Sequence, residues 1–191
     1  MEAFKLTQRS LLGWFACIFG FTSVALGQAI PVSTRNATLQ LGAGYTHFQP
    51  DYGPINFSGF TVYGDLDLIF HVGIEAEMHR SFNNHTDIGE NTYLIGPRGY
   101  YIVKHHLKFY GKGMIGRGTF DYQKPYFTPA SPSYMTFAAG GGLDVDVARH
   151  VSIRALDYEY QIWTNFPLHN SVVSKDHLTP GLLTIGAAYR F

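Results

Sequence analysis

The chain has 191 residues, 14 Lys and Arg against 14 Asp and Glu, 16% aromatics and 21 glycines. A balance this close to neutral lacks the basic footprint of a nucleic-acid binder. One cysteine, Cys17, excludes a disulfide framework and a zinc–thiolate centre.

The first segment reads as a secretory signal peptide. Lys5 and Arg9 supply a positive start, Leu11 to Val24 an apolar run, and Ala25-Leu26-Gly27 a small-x-small cleavage site. A retained N-terminal anchor is the alternative, but the run is short of the roughly 20 apolar residues of a spanning helix. Cys17 lies in the apolar run and leaves with it. In "GWFAC", Trp14 stands where a lipoprotein signal wants an aliphatic residue. The expected organisation is a cleaved signal peptide over 1–27, a short periplasmic linker over 28–36, and one β-barrel over 37–191. No appended periplasmic domain is expected.

Eight segments of period-2 alternation follow in order: Thr38–Phe48, Phe57–Asp67, Val72–Phe82, Thr92–Ile102, Leu107–Gly118, Tyr134–Asp146, Val151–Trp163 and Leu178–Phe191. Their lengths suit the roughly 9–11 residues of a tilted strand crossing a bilayer, and exceed the usual ~5–6 of globular strands. Connections alternate in size. Gln49–Asn56, Asn83–Asn91, Thr119–Ser133 and Thr164–His177 are long, while Leu68–His71, Val103–His106 and Val147–His150 are tight. Membrane barrels pair short periplasmic turns with long extracellular loops in this way, and a secreted β-sandwich has no reason to. The fold class is therefore read as all-β: an eight-stranded antiparallel up-and-down transmembrane β-barrel in a bacterial outer membrane, with both termini periplasmic.

Each strand sorts apolar from charged residues by parity. Ile74, Ala76 and Met78 oppose Glu75, Glu77 and His79, while Phe60, Val62 and Leu66 oppose Tyr63, Asp65 and Asp67. In the sixth strand Phe137, Ala139, Leu143 and Val145 oppose Asp144 and Asp146. The seventh slips phase between Arg154 and Asp157, and a β-bulge there would restore it. In a barrel the charged face turns inward. The lumen would then collect Asp65, Asp67, Glu75, Glu77, Asp144 and Asp146 with Arg98, Lys112, Arg154 and Arg190. An eight-stranded interior is only just wide enough for side chains, so these charges must pair or hold water. Two readings stand side by side: a structural ion network filling the lumen, or a narrow, gated path for ions or small solutes. Aromatics collect near both rims, with Tyr45, Phe48, Phe57, Phe82, Tyr93, Phe120, Tyr134, Phe137 and Trp163 at the outer rim and Phe70, Tyr100, Tyr101, Phe109, Tyr189 and Phe191 at the inner rim, as interfacial girdles would.

The chain closes on "GLLTIGAAYRF". Phe191, Tyr189, Ala187, Ile185 and Leu183 share one face. This resembles the C-terminal assembly signal of bacterial outer-membrane barrels, a terminal Phe with an aromatic two residues earlier. Residues 28–191 likewise resemble the small eight-stranded OmpA-like outer membrane β-barrel domain family, by pattern. The resemblance implies membrane lipid around the barrel, with the barrel-assembly machinery and periplasmic chaperones as partners during biogenesis.

Catalytic constellations are thin. His150 and Ser152 with Glu159 downstream resemble parts of a His/Ser/acid site, such as some eight-stranded barrels use on lipid A. The expected topology, however, puts His150 in a periplasmic turn, away from the outer leaflet where lipid A lies. His85 with Asp87, and His169 with Ser171, fall in loops of ordinary turn composition. The nine histidines show no metal-ligand spacing on one element. No enzyme, cofactor, metal or nucleic-acid partner is expected. The expected role is structural or surface-exposed. The long loops over 119–133 and 164–177 leave an adhesin open, with an unassigned ligand, because binding tends to reside on loops of rigid scaffolds.

Overall fold

The computed structural model describes residues 37–51, 57–68, 71–82, 89–104, 106–121, 132–170 and 173–191. The proposed signal peptide and linker lie outside the described residues, as do Phe70, His85 and Asp87. Among the described residues, nine strands form one antiparallel sheet: β1 (Thr38–Gln49), β2 (Phe57–Asp67), β3 (Val72–Phe82), β4 (Gly89–Val103), β5 (Leu107–Asp121), β6 (Ser133–Ala148), β7 (Val151–Asn170), β8 (Val173–Leu178) and β9 (Gly181–Arg190). Neighbours pair in sequence order from β1 to β7, and β9 joins β7 to β1, so the sheet closes on itself. Closure leaves no free edge within the barrel wall, which a bilayer core requires.

β8 and β9 together make the eighth barrel strand. The chain breaks at Thr179 and Pro180, where proline has no N–H for the ladder, yet pairing to β7 continues through Gln161 N–H donating to Pro180 O at 3.0 Å. The expected long loop at 164–177 is instead largely a hairpin. β7 runs on to Asn170 and pairs with β8 from Trp163↔Leu178 to Asn170↔Val173, with a register break between Thr164 and Leu168. Asn165 takes a left-handed φ of 58° at that break, a conformation asparagine tolerates better than most residues.

The phase slip in β7 is a bulge. Leu143 faces Leu156 but Asp144 faces Arg154, which leaves Ala155 as the extra residue, and the β9 register shifts at the same place. One extra residue inverts parity. Before it Ser152 and Arg154 point inward; after it Asp157, Glu159, Gln161 and Trp163 do.

The outer wall is apolar, with Leu41 51%, Ile95 54% and Ile185 54% exposed. Most charged side chains of the strands are buried instead, among them Asp65, Glu75, Glu77, Arg98, Lys112, Asp144 and Arg154. Small residues let large ones lie flat inside: a Cβ at Gly42 would come within 2.6 Å of the Tyr63 hydroxyl, and one at Gly118 within 2.6–2.7 Å of the Trp163 ring.

Candidate functional site

The lumen is layered from the inner end to the outer mouth. At the inner end Lys108 pairs with Asp67 and Arg190 with Asp146. Gln40 Nε2 donates to Asp67 Oδ2 at 3.2 Å, and Ser152 Oγ donates to Gln40 Oε1 at 2.9 Å. Tyr100 O–H closes the layer by donating to Leu68 O at 2.7 Å.

The middle layer holds three cations among six carboxylates. Arg98 reaches Asp65 at 2.6 Å, Glu75 at 3.3 Å and Asp144 at 2.5 Å. Arg154 reaches Glu75 at 2.8 Å, Glu77 at 3.0 Å, Asp157 at 3.0 Å, Asp65 at 3.1 Å and Asp144 at 3.3 Å. Lys112 sits among Glu77 at 2.7 Å, Asp157 at 2.8 Å, Glu159 at 3.2 Å and Glu75 at 3.4 Å. Two tyrosine rings cover the guanidinium faces: Arg154 lies 3.6 Å from the Tyr63 centroid and Arg98 3.7 Å from that of Tyr110. A guanidinium bonds carboxylates along its edges and stacks rings on its faces, so both surfaces are used.

Above this, His79 Nε2 faces Glu77 at 3.2 Å and Glu159 at 3.4 Å, while Nδ1 shares a 2.6 Å hydrogen bond with Thr61. Hydroxyls continue around the wall from Thr61 to Thr46 and on to Thr184 at 2.8 Å. Gln161 donates to Glu159 at 2.7 Å and accepts from Trp163 Nε1 at 2.9 Å. At the mouth, buried apolar side chains gather beside the buried Glu90, which faces Phe120 across the strands and whose backbone N–H donates to Ser81 Oγ at 3.2 Å. Phe48, Phe57 and Leu182 form one buried cluster, with Trp163, Leu178 and Phe120 also buried at this end.

Among the described residues, two groups have the donor types of a cation site: Glu77, His79 and Glu159, and Glu75, Glu77 and Asp157, all buried with ligand atoms within 4.8 Å of one another. Lys112 already contacts both acids of the first group and all three of the second. The ammonium therefore stands where a cation would be recruited.

The ten charges singled out by parity do not form one network. Asp65, Glu75, Glu77, Arg98, Lys112, Asp144 and Arg154 meet in the middle layer. Asp67 instead pairs with Lys108, and Asp146 with Arg190. Parity missed Asp157 and Glu159 because the bulge was not carried through to the second half of β7. It missed Lys108, which shares the inward parity of Lys112. The aromatics near the outer rim also divide. Tyr45, Tyr93 and Phe137 face outward as a girdle, whereas Phe48, Phe57, Phe120 and Trp163 turn inward and are buried. At the inner rim Tyr101, Phe109, Tyr189 and Phe191 face outward, and Tyr100 faces inward.

The His/Ser/acid parts do not assemble. His150 is exposed and its Nδ1 lies 3.0 Å from Arg190 O, Ser152 is buried against Gln40, and Glu159 is among Lys112, His79 and Gln161. The side chains of His169 and Ser171 lie outside the described residues. At the C-terminus Leu183, Ile185, Ala187, Tyr189 and Phe191 all face outward. Phe191 N–H donates to Leu39 O at 2.9 Å, and its ring meets Tyr189 edge-on at 5.0 Å.

Comparison with known proteins gives one family. The profile of the outer membrane protein beta-barrel domain matches residues 15–191. Among solved structures the chain is similar to Neisserial surface protein A (TM-score 0.59, 14% identity, covering 82% of this chain and 97% of that one). It is also similar to the N-terminal β-barrel domain of Pseudomonas aeruginosa OprF (0.57, 9%, 82% and 98%). A third is Ail, the attachment invasion locus protein of Yersinia pestis, in complex with the heparin analogue sucrose octasulfate (0.50, 19%, 81% and 97%). At these identities the likeness is one of fold. No curated protein matches in sequence.

Proposed function

The chain belongs to the outer membrane β-barrel domain family, and from that premise we propose that it is a structural, surface-exposed barrel whose lumen is closed by its own side chains. It is an integral protein of the bacterial outer membrane, embedded in membrane lipid. The observation that carries the reading is the order of the layers. An interlocked ion cluster lies under a mouth packed by Phe48, Phe57, Leu182, Trp163 and Leu178, with Glu90 as its buried charge among the described residues. An ion entering from outside would meet a dehydrating constriction first and then fixed charges already held by several partners each. The same layering weighs against the narrow-channel reading.

Planar-bilayer recording tests this. The folded protein should show no discrete conductance steps, and neither should Glu75→Gln. Stepwise currents from the unmodified protein that change in Glu75→Gln would establish the channel and sink the closed lumen.

A second reading, a loop-mediated adhesin, is favoured by the β7–β8 hairpin, which extends past the last β1–β9 pair, Gln49↔Gly181. A backbone-paired hairpin presents a recognition surface with less ordering cost than a free loop. Removing residues 166–176 should leave the heat-modifiable barrel intact, and should abolish host-surface binding if this reading holds. Biogenesis through periplasmic chaperones and the assembly machinery, reading Phe191 and Tyr189, belongs to the same proposal.

A further inference from the structure

Toward the outer end, two irregularities fall on paired strands within a few residues of each other. From Thr164↔His177 to Leu168↔Lys175, β7 advances four residues while β8 advances two, and Asn165 takes its left-handed φ of 58° there. On the other side of the pair, Thr179 and Pro180 interrupt the run between β8 and β9. A cleft of about 430 Å³ opens at this place, lined by Tyr160, Ile162, Thr164, Asn165, His177 and Thr179. That volume is in the range of small-ligand sites. Tyr160 and Ile162 are 43% and 40% exposed on the outer face of the barrel. Ile162 faces Phe137 of the aromatic girdle across the strands. The floor of the cleft is therefore level with the girdle, and Thr164, Asn165 and His177 lie beyond it, away from the bilayer.

The lining selects a ligand by what its groups still offer. The Thr164 hydroxyl donates to Met135 O at 3.1 Å and the Thr179 hydroxyl to Asp51 Oδ2 at 2.6 Å. With their protons committed, both present lone pairs to a ligand. The Asn165 amide offers donors and an acceptor, and the His177 ring its nitrogens. The lining holds no Lys or Arg. A phosphate or sulfate, which only accepts, would meet the threonine lone pairs with no guanidinium or ammonium to balance it. The cross-strand neighbours of Tyr160 are Ala139 and Gly181, too small to cover its ring. The matching ligand is uncharged, rich in O–H groups and has an apolar C–H face to lie against that ring.

We propose that this cleft binds an uncharged hexopyranose unit of a glycan met from outside the cell. Tyr160 lies against the sugar ring, Asn165 and His177 bond neighbouring hydroxyls, and Thr164 and Thr179 accept from others. The site rests on the adhesin reading and supplies it with a ligand class. It is external to the lumen and independent of whether the barrel conducts.

The test places the folded full-length barrel in phospholipid nanodiscs, free of sugar-based detergent, and titrates it by NMR with lactose, maltose and the chitin disaccharide. A sulfated heparin disaccharide is the charged probe. At least one uncharged probe should bind with a Kd on the order of 1 mM, and the heparin disaccharide should not compete with it. Tyr160→Leu removes the ring but keeps an apolar side chain on the outer face. Asn165→Gly removes the amide but keeps a residue at ease in the left-handed conformation. Each should weaken binding about tenfold, with unboiled gel mobility checking the fold. Tyr93→Leu, on β4, should bind as the unmodified protein does. Binding of none of the three uncharged probes would overturn the site, as would unchanged affinity in both folded variants or an equal loss in Tyr93→Leu. Tighter binding of the heparin disaccharide would overturn the assignment to an uncharged sugar. Host-surface binding lost on removing residues 166–176 but kept in Tyr160→Leu and Asn165→Gly would sink the cleft and leave the adhesin. Saccharide binding that depends on Tyr160 and Asn165, without any host-surface binding, would sink the adhesin and leave the cleft.

Discussion

Replacing Arg154 by methionine tests whether the middle layer is held by its cations. Arg154 is 1% exposed and reaches five carboxylates between 2.8 and 3.3 Å: Asp65, Glu75, Glu77, Asp144 and Asp157. Methionine keeps most of the volume, so the packing of Tyr63 and Tyr110 changes little and the charge is what is lost. Removing one partner from a buried ion pair costs about 3–5 kcal/mol, and the stacking on Tyr63 adds about 1 kcal/mol. With a urea dependence of about 2 kcal/mol per molar, the unfolding midpoint should fall by roughly 2–3 M. The converse substitution separates charge from contact. Asp157→Asn removes one of six carboxylates facing three cations, an anion from an anion-rich layer, so it should shift the midpoint by less than about 0.5 M, or about 1 kcal/mol. Unfolding can be read from the fluorescence of Trp163, which is fully buried; the other tryptophan, Trp14, lies in the proposed leader. If Arg154→Met moves the midpoint by less than about 0.5 M, or if Asp157→Asn costs as much as Arg154→Met, the account of an interlocked, anion-rich layer fails.

Two further perturbations probe the wall and the terminus. Gly42→Ala places a methyl against the Tyr63 ring, which is pinned on its other face by Arg154; overpacking of this kind costs about 1–3 kcal/mol, visible in the same urea titration. Deleting Phe191 removes its hydrogen bond to Leu39 and its contact with Tyr189. Folding of the purified chain into detergent should barely change, while the amount of heat-modifiable barrel in cell membranes should fall severalfold. Equal losses in detergent and in cells would show that the residue matters for stability rather than for assembly.

The alternation of residues along β2, β3 and β6 made the barrel legible from the chain alone. A strand has a two-residue period, so parity assigns a face without any tertiary information. Tight and long connections then give the expected orientation of the barrel in the membrane. Parity fails where one residue is inserted, and Ala155 is such a place: it hid Asp157 and Glu159, two of the six carboxylates in the middle layer. Parity also says nothing of depth along a strand. Phe48, Phe57 and Trp163 resemble girdle residues by their place near the rim, but their inward phase buries them inside the barrel instead.

What the sequence determined by itself was therefore face, strand count and the sign of each layer, because these depend on local backbone geometry. The tertiary structure decided partners. Curling the sheet brings Arg154 on β7 within 3.1 Å of Asp65 on β2, 89 residues away. Such contacts follow from register and closure around the whole barrel, which no local period encodes.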